Sequence, residues 1–153
     1  MALPERIQDD MKAALLRGES GDRFVVDTLR GLKAAILNEE VAQGKRETGL
    51  EDAEIEKIIA REVKKRNESA TIYEQNDRAE QAEQERREAE ILSAYLPQQL
   101  SEAEVRAIVE AKVAALGATD AKAMGQVIGA VKAEVGNAAD GALVARLVKE
   151  TLN

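Results

Sequence analysis

Lys57, Arg61, Lys64 and Lys65 recur at i, i+4, i+7 and i+8, a spacing that places four cations along one side of a helix. Such a stripe has two meanings. It can be a solvated outer face balanced by carboxylates such as Glu54, Glu62 and Glu68, the commoner fate of a charge run. It can also face phosphate, where each Lys or Arg that meets one releases a counterion. Carboxylates are dense at Glu80, Glu83, Glu85, Glu88 and Glu90, around Arg86 and Arg87. Paired carboxylates do acid-base work only when burial shifts their pKa, and nothing in so polar a segment suggests burial. Histidine and cysteine are absent, which removes the usual proton shuttle and the thiolate nucleophile or ligand. The expectation is no catalytic residue, no metal site and no cofactor.

Composition narrows the function further. The 153 residues suffice for one domain or two small ones, and 44% are hydrophobic. With no Trp, one Phe and two Tyr, the core must be aliphatic and base-stacking platforms are not expected. Net charge is -7, with 16 basic and 22 acidic side chains in residues 1–96 and 6 and 7 in residues 97–153. An acidic chain avoids bulk association with nucleic acid or anionic membranes unless its basic residues gather locally. No apolar run reaches the roughly 18 residues of a membrane span, and Glu5, Asp9 and Asp10 are out of place in a targeting segment. A cytoplasmic protein without membrane attachment is expected.

The elements that position these groups read as helices, since Ala, Glu, Lys and Arg abound and prolines number two. Leu3, Ile7, Met11, Ala14 and Leu15 repeat at helical spacing, with Pro4 suited to the entry and Gly18 to the exit. Asp22 is expected to cap a second helix with Val25, Thr28, Leu29, Leu32 and Ile36 inward, continuing through Val41 to Gly44. Gly31 is expected to permit close helix contact. After a loop, a third helix runs from about Asp52 to Asn76 with Ile55, Ile58, Ile59, Val63, Ala70 and Tyr73 on one side. The polar segment after it offers only alanines to a core and should be held at its far end by Ile91, Leu92, Tyr95 and Leu96, before Pro97 stops it.

Ser101 and Glu104 then form a capping box. The helix that follows buries Val105, Ile108, Val109, Val113 and Leu116 and ends at Gly117. Thr119 or Asp120 caps the next, with Met124, Val127, Ile128, Val131 and Val135 inward, and Asp140 caps the last, with Leu143, Val144, Leu147, Val148 and Leu152. Gly125 and Gly129, four apart, suggest close packing. The fold class is all-α, in two domains: an N-terminal helical domain over 1–96 and a small three-helix bundle over 97–153.

The block Ser93-Ala94-Tyr95-Leu96-Pro97-Gln98-Gln99-Leu100-Ser101, then Met124-Gly125-Gln126-Val127, then Ala139-Asp140-Gly141-Ala142-Leu143-Val144, resembles the ordered landmarks of the GatB/YqeY family. Arg61-Glu62-Val63-Lys64-Lys65-Arg66 resembles its N-terminal counterpart. The resemblance spans essentially the whole chain. It implies an elongated N-terminal domain of long antiparallel helices, and a C-terminal domain similar to the tail of the B subunit of the glutamine-dependent tRNA amidotransferase, which contacts tRNA. The amidotransferase chemistry belongs to parts this chain lacks, so the family's label of carbon-nitrogen ligase with glutamine as amide donor is expected to reflect tail similarity.

The resemblance implies tRNA, or a tRNA-amidating assembly, as partner; the candidates for nucleic-acid binding are Arg61, Lys64, Lys65, Lys122, Gln126, Lys132 and Asn137, although the changes from the family pattern at Gln126 and Asn137-Ala138 each remove a possible phosphate contact. Two of these depart from the family pattern. Gln126 stands where Lys is frequent, and Asn137-Ala138 where Gly-Arg is frequent. Asn137 is expected to supply the left-handed conformation of the missing glycine, and the helix start at Asp140 to offer amides to an anion. Lys122, Lys132, Arg146 and Lys149 are expected to be available. The alternatives are a protein-protein adaptor and a ligase component with activity of its own; the oligomeric state is open.

Overall fold

The computed structural model describes residues 1–17 and 21–153, which hold seven α-helices and no strand. They are α1 (Leu3–Leu16), α2 (Gly21–Ala42), α3 (Asp52–Gln75), α4 (Ala79–Ser93), α5 (Glu102–Leu116), α6 (Met124–Val135) and α7 (Gly141–Leu152). The expected all-α class is the one observed. The chain packs as two compact units, Met1–Leu96 and Pro97–Asn153.

In the first unit the core is aliphatic, as a chain so poor in aromatics requires. Ile7 of α1, Leu29 and Leu32 of α2, Ile55 and Ile59 of α3 and Leu92 of α4 are fully buried in one cluster. Tyr95 closes it. Its hydroxyl donates to Asp10 Oδ2 at 2.5 Å, while the Arg6 guanidinium lies 4.7 Å from the ring centroid and donates to the Ala94 carbonyl. Burial first, and then the Asp10 carboxylate, push the Tyr95 hydroxyl well above the ordinary phenol range.

α3 and α4 are joined by Asn76, Asp77 and Arg78, with Asp77 at φ 58, the one positive φ outside glycine among the described residues. So short a turn makes the helices antiparallel, and two ion pairs mark the register: Arg66 with Glu88 at 3.1 Å and Arg86 with Glu74 at 2.6 Å. Away from the core the hairpin is seated on Ala70, Ala82 and Ala89. Ala82 sits in the first turn of α4, so this helix is docked early as well as at its far end. The small side chain lets the backbones approach.

Several expectations change here. Leu15 is 57% exposed and Val41 59% exposed, so both turn outward rather than into the core. Gly31 is exposed, and a Cβ there would meet only the Arg66 guanidinium at 4.0 Å; it makes no close helix contact. α2 begins at Gly21, so Asp22 lies inside the first turn, where it favours the helix dipole instead of capping. The exit expected at Gly18 lies outside the described residues.

The second unit is built mainly on valine. Val105 and Val109 of α5, Val127 and Val131 of α6, and Val144, Leu147 and Val148 of α7 are fully buried. Its caps follow the sequence. Ser101 Oγ accepts from the Glu104 amide while Glu104 accepts from the Ser101 amide, and Gly117 ends α5 at φ 63. Asp120 rather than Thr119 accepts the next helical amide, that of Lys122, in a 3-10 turn over Ala121–Ala123 that leads into α6. Asp140 accepts from the Ala142 amide at the start of α7. Leu116, expected inside, is 40% exposed at the end of α5.

Candidate nucleic-acid interface

On α3 the side chains of Lys57, Arg61, Lys64 and Lys65 are exposed on the face turned away from Ile55, Ile58 and Ile59. Two of the carboxylates the spacing suggests also meet cations outside the stripe, although Lys57 acts on Glu54 as well. Glu54 accepts from Lys45 at 2.8 Å, which with the Glu51 amide lowers its pKa. Glu62 is taken up by Arg66 at 2.7 Å. Arg61 instead meets Glu39 of α2 at 3.8 Å, a long and exposed pair. On the neighbouring α4, Glu85 has its pKa raised, first by burial and then by Glu88, with Arg66 and Lys65 acting against that rise. The stripe therefore stands among carboxylates from α2 and α4 as well as its own helix.

The second unit offers a different surface. Lys122, Gly125, Gln126, Gly129, Lys132 and Gly136 are all exposed, and the four that belong to α6, Gly125, Gln126, Gly129 and Lys132, fall within an arc of about 120°, with Lys122 and Gly136 in the turns that flank the helix. The expected close packing at Gly125 and Gly129 is not found. A Cβ built at either would meet nothing within 4 Å. These glycines instead keep a smooth stretch of helix backbone open between Lys122 and Gln126 at one end and Lys132 at the other.

Lys132 also reaches the next element. A Cβ at Gly141 would lie 3.4 Å from Lys132 Nζ, so the ammonium sits against the first turn of α7. Asn137 lies in the turn between α6 and α7, half-buried, with its carbonyl accepting from Gln99 Nε2 at 3.0 Å. Beside it the Leu100 amide donates to the Ala138 carbonyl at 2.8 Å. The left-handed role expected of Asn137 falls to Gly136, with φ 52 and ψ -128, a region that only glycine enters freely. Asn137 itself does not have a positive φ.

Arg146 is not available in the way expected. It donates to Glu102 at 3.0 Å and Glu150 at 3.1 Å, and Arg106 pairs with the same two carboxylates, so α5 and α7 share a closed ring of four charges. Glu102 and Glu150 raise the pKa of Arg146, while Arg106 and Arg146 lower that of Glu150. Lys149 is exposed. The candidates thus fall into three sets: the α3 stripe, the α6 face with Lys122, Gln126 and Lys132, and Asn137 beside that face in the turn. The glycines of the α6 face were the part missed; within α6 the helical period puts Gly125 and Gly129 between Gln126 and Lys132.

No curated protein matches the chain. The family model described as Yqey-like protein matches residues 4–152, covering nearly all of both units. The chain belongs to the family of YqeY-like proteins.

Proposed function

We propose that this chain is an accessory tRNA-binding protein of the cytoplasm, holding the phosphate backbone alone or within a tRNA-amidating assembly and contributing no catalytic step. The observation that carries this reading is the α6 face. Exposed lysines stand in sequence before and near the end of a strip of α6 where a Cβ at Gly125 or Gly129 would meet nothing within 4 Å, so a bulky, negatively charged backbone can approach the helix at these two positions. An RNA backbone is such a ligand, and contact with it depends on shape and charge rather than base identity. Gln126 and Asn137 contribute neutral hydrogen-bonding groups there. The α3 stripe adds positive charge of its own, weakened by the acids around it. Without His or Cys, the chain lacks the usual means of releasing ammonia from glutamine and supplying it to an activated carbonyl.

The test is fluorescence anisotropy of unfractionated tRNA with the purified chain, at low and near-physiological salt. Affinity should fall steeply with salt and should drop when Lys122 and Lys132 are changed to Glu. Changing Arg61, Lys64 and Lys65 to Glu should weaken binding less. Absence of binding at low salt would overturn the proposal. Binding of a protein partner that ignores salt would favour an adaptor, and ammonia release from glutamine, which we expect to be nil, would restore the ligase reading.

A further inference from the structure

α2 carries an outward-facing strip that no helix of its own unit covers. Arg30, Ala34, Leu37 and Val41 recur at spacings of four, three and four and are all exposed, with Leu37 at 44% and Val41 at 59%. Ala34, Leu37 and Val41 thus make a short apolar seam at the spacing of a two-helix coiled coil, which Arg30, paired with Asp27 at 3.7 Å, extends as a charged position. A depression of about 340 Å³ adjoins it, floored by Pro4 and Ile7 of α1 with Ile36 and Leu37, and Lys33 and Glu40 stand two turns apart on its wall.

We propose that this face is the contact between two copies of the chain, paired antiparallel through α2 about a twofold axis. The charges select the occupant and the register. With Ala34 of each copy opposite Leu37 of the other, Lys33 faces Glu40 of the second copy, and the twofold repeats the pair. The small Ala34 leaves room for Leu37. Arg30 falls beside Val41 of the second copy, close to where α2 ends at Ala42 and its carbonyls carry partial negative charge.

Competing arrangements lose these pairs. A register one step along the seam, Leu37 opposite Val41, sets Glu40 nearer to Glu40, and a parallel pair sets Lys33 beside the uncharged Asn38. Lys33 donates to Gln8 at 2.5 Å within one copy, and its ammonium has further donors for a partner. The strip is short beside the roughly 800 Å² per partner of a standard interface, so the association is weak, at about micromolar Kd.

Sedimentation equilibrium of the full chain across the micromolar range tests the proposal. The mass should rise from one copy to two and no further. Leu37→Glu should abolish the dimer while leaving the far-UV circular dichroism and Tm of the single copy unchanged, since Leu37 is half exposed. Lys33→Glu and Glu40→Lys should each weaken the dimer by tenfold or more, through like charges placed face to face. Mixing those two variants should restore it, because each then meets an opposite charge. A chain monomeric at every concentration, a larger open assembly, a dimer indifferent to these changes, or a mixture that fails to pair would overturn it.

Discussion

The cations of the two units stand in different company. On α3, Arg61 reaches Glu39 of α2, and Glu85 of α4 lies within the field of Lys65. On α6, Lys122 and Lys132 border glycines whose faces are open, while the carboxylates Glu102 and Glu150 are held on α5 and α7 by Arg106 and Arg146. The second unit has fewer basic residues, six against sixteen in residues 1–96, yet two of them, Lys122 and Lys132, stand near glycines whose Cβ positions are open. If the chain meets phosphate as proposed, the local balance of cations and carboxylates matters more there than the number of cations a segment contains.

The cores differ as well, and here the largest effect is expected. The first unit rests on Leu and Ile side chains, the second mainly on Val. Ile59→Ala should lose about 4 kcal/mol, from transfer and cavity terms together, and Val131→Ala about 2 kcal/mol. The chain's aromatics, Phe24, Tyr73 and Tyr95, all belong to the first unit, so tyrosine fluorescence follows that unit while circular dichroism follows both. Urea denaturation read both ways should show Ile59→Ala shifting the fluorescence midpoint strongly. Val131→Ala should shift only the dichroism. Equal shifts in both signals for both variants would mean the units unfold as one.

A second difference is the tyrosine latch, which has no counterpart in the valine core. The folded state holds the Tyr95 proton after the unfolded chain has released it. The stability this gives is intact below the unfolded pKa of about 10 and is lost progressively as pH rises from there toward the folded value. Tyr95→Phe should cost about 1 to 2 kcal/mol at neutral pH, through the bond lost to Asp10. It should also flatten that alkaline decline. Urea midpoints of both proteins between about pH 8 and about pH 11 check this; parallel declines would show that the latch does not hold the proton.

Helices and caps were legible because their signals are local. Ser101 with Glu104, Gly117 at the exit of α5, and Asp140 before α7 each satisfy backbone groups within a few residues. The misplacements depend on neighbours that one helix pattern does not contain. Val41 continues the apolar period of α2, yet no element of its unit covers that face. Glu54 and Glu62 have the right spacing for the α3 stripe, but Lys45 and Arg66 reach them first. Gly125 and Gly129 looked like packing glycines because spacing does not tell which side a helix turns to solvent. Asn137 and Gly136 compete for one unusual backbone conformation, and the residue without a Cβ takes it.

Opening at Gly129 gives a smaller effect with two opposite signs. An exposed helix-interior glycine with nothing near its Cβ should gain about 1 kcal/mol of stability on change to Ala. The added methyl would also lift a phosphate backbone away from α6. Gly129→Ala should therefore raise the urea midpoint of the second unit and weaken tRNA binding. A variant that is more stable and binds equally well would show that close approach at this position is not used.

The finest comparison sets Lys132→Gln against Arg146→Gln, since each removes one positive charge from the same unit. If net charge governed binding, the two would act alike. If the open face governs it, Lys132→Gln should lower the slope of log affinity against log salt by about 0.7 to 0.9, the value of one phosphate contact. Arg146→Gln should leave that slope unchanged, because its guanidinium is already committed to Glu102 and Glu150. Tm should move little for either, as exposed ion pairs and single lysines contribute little to folding. Equal slopes for the two variants would assign the binding to diffuse charge and remove the α6 face from its special place.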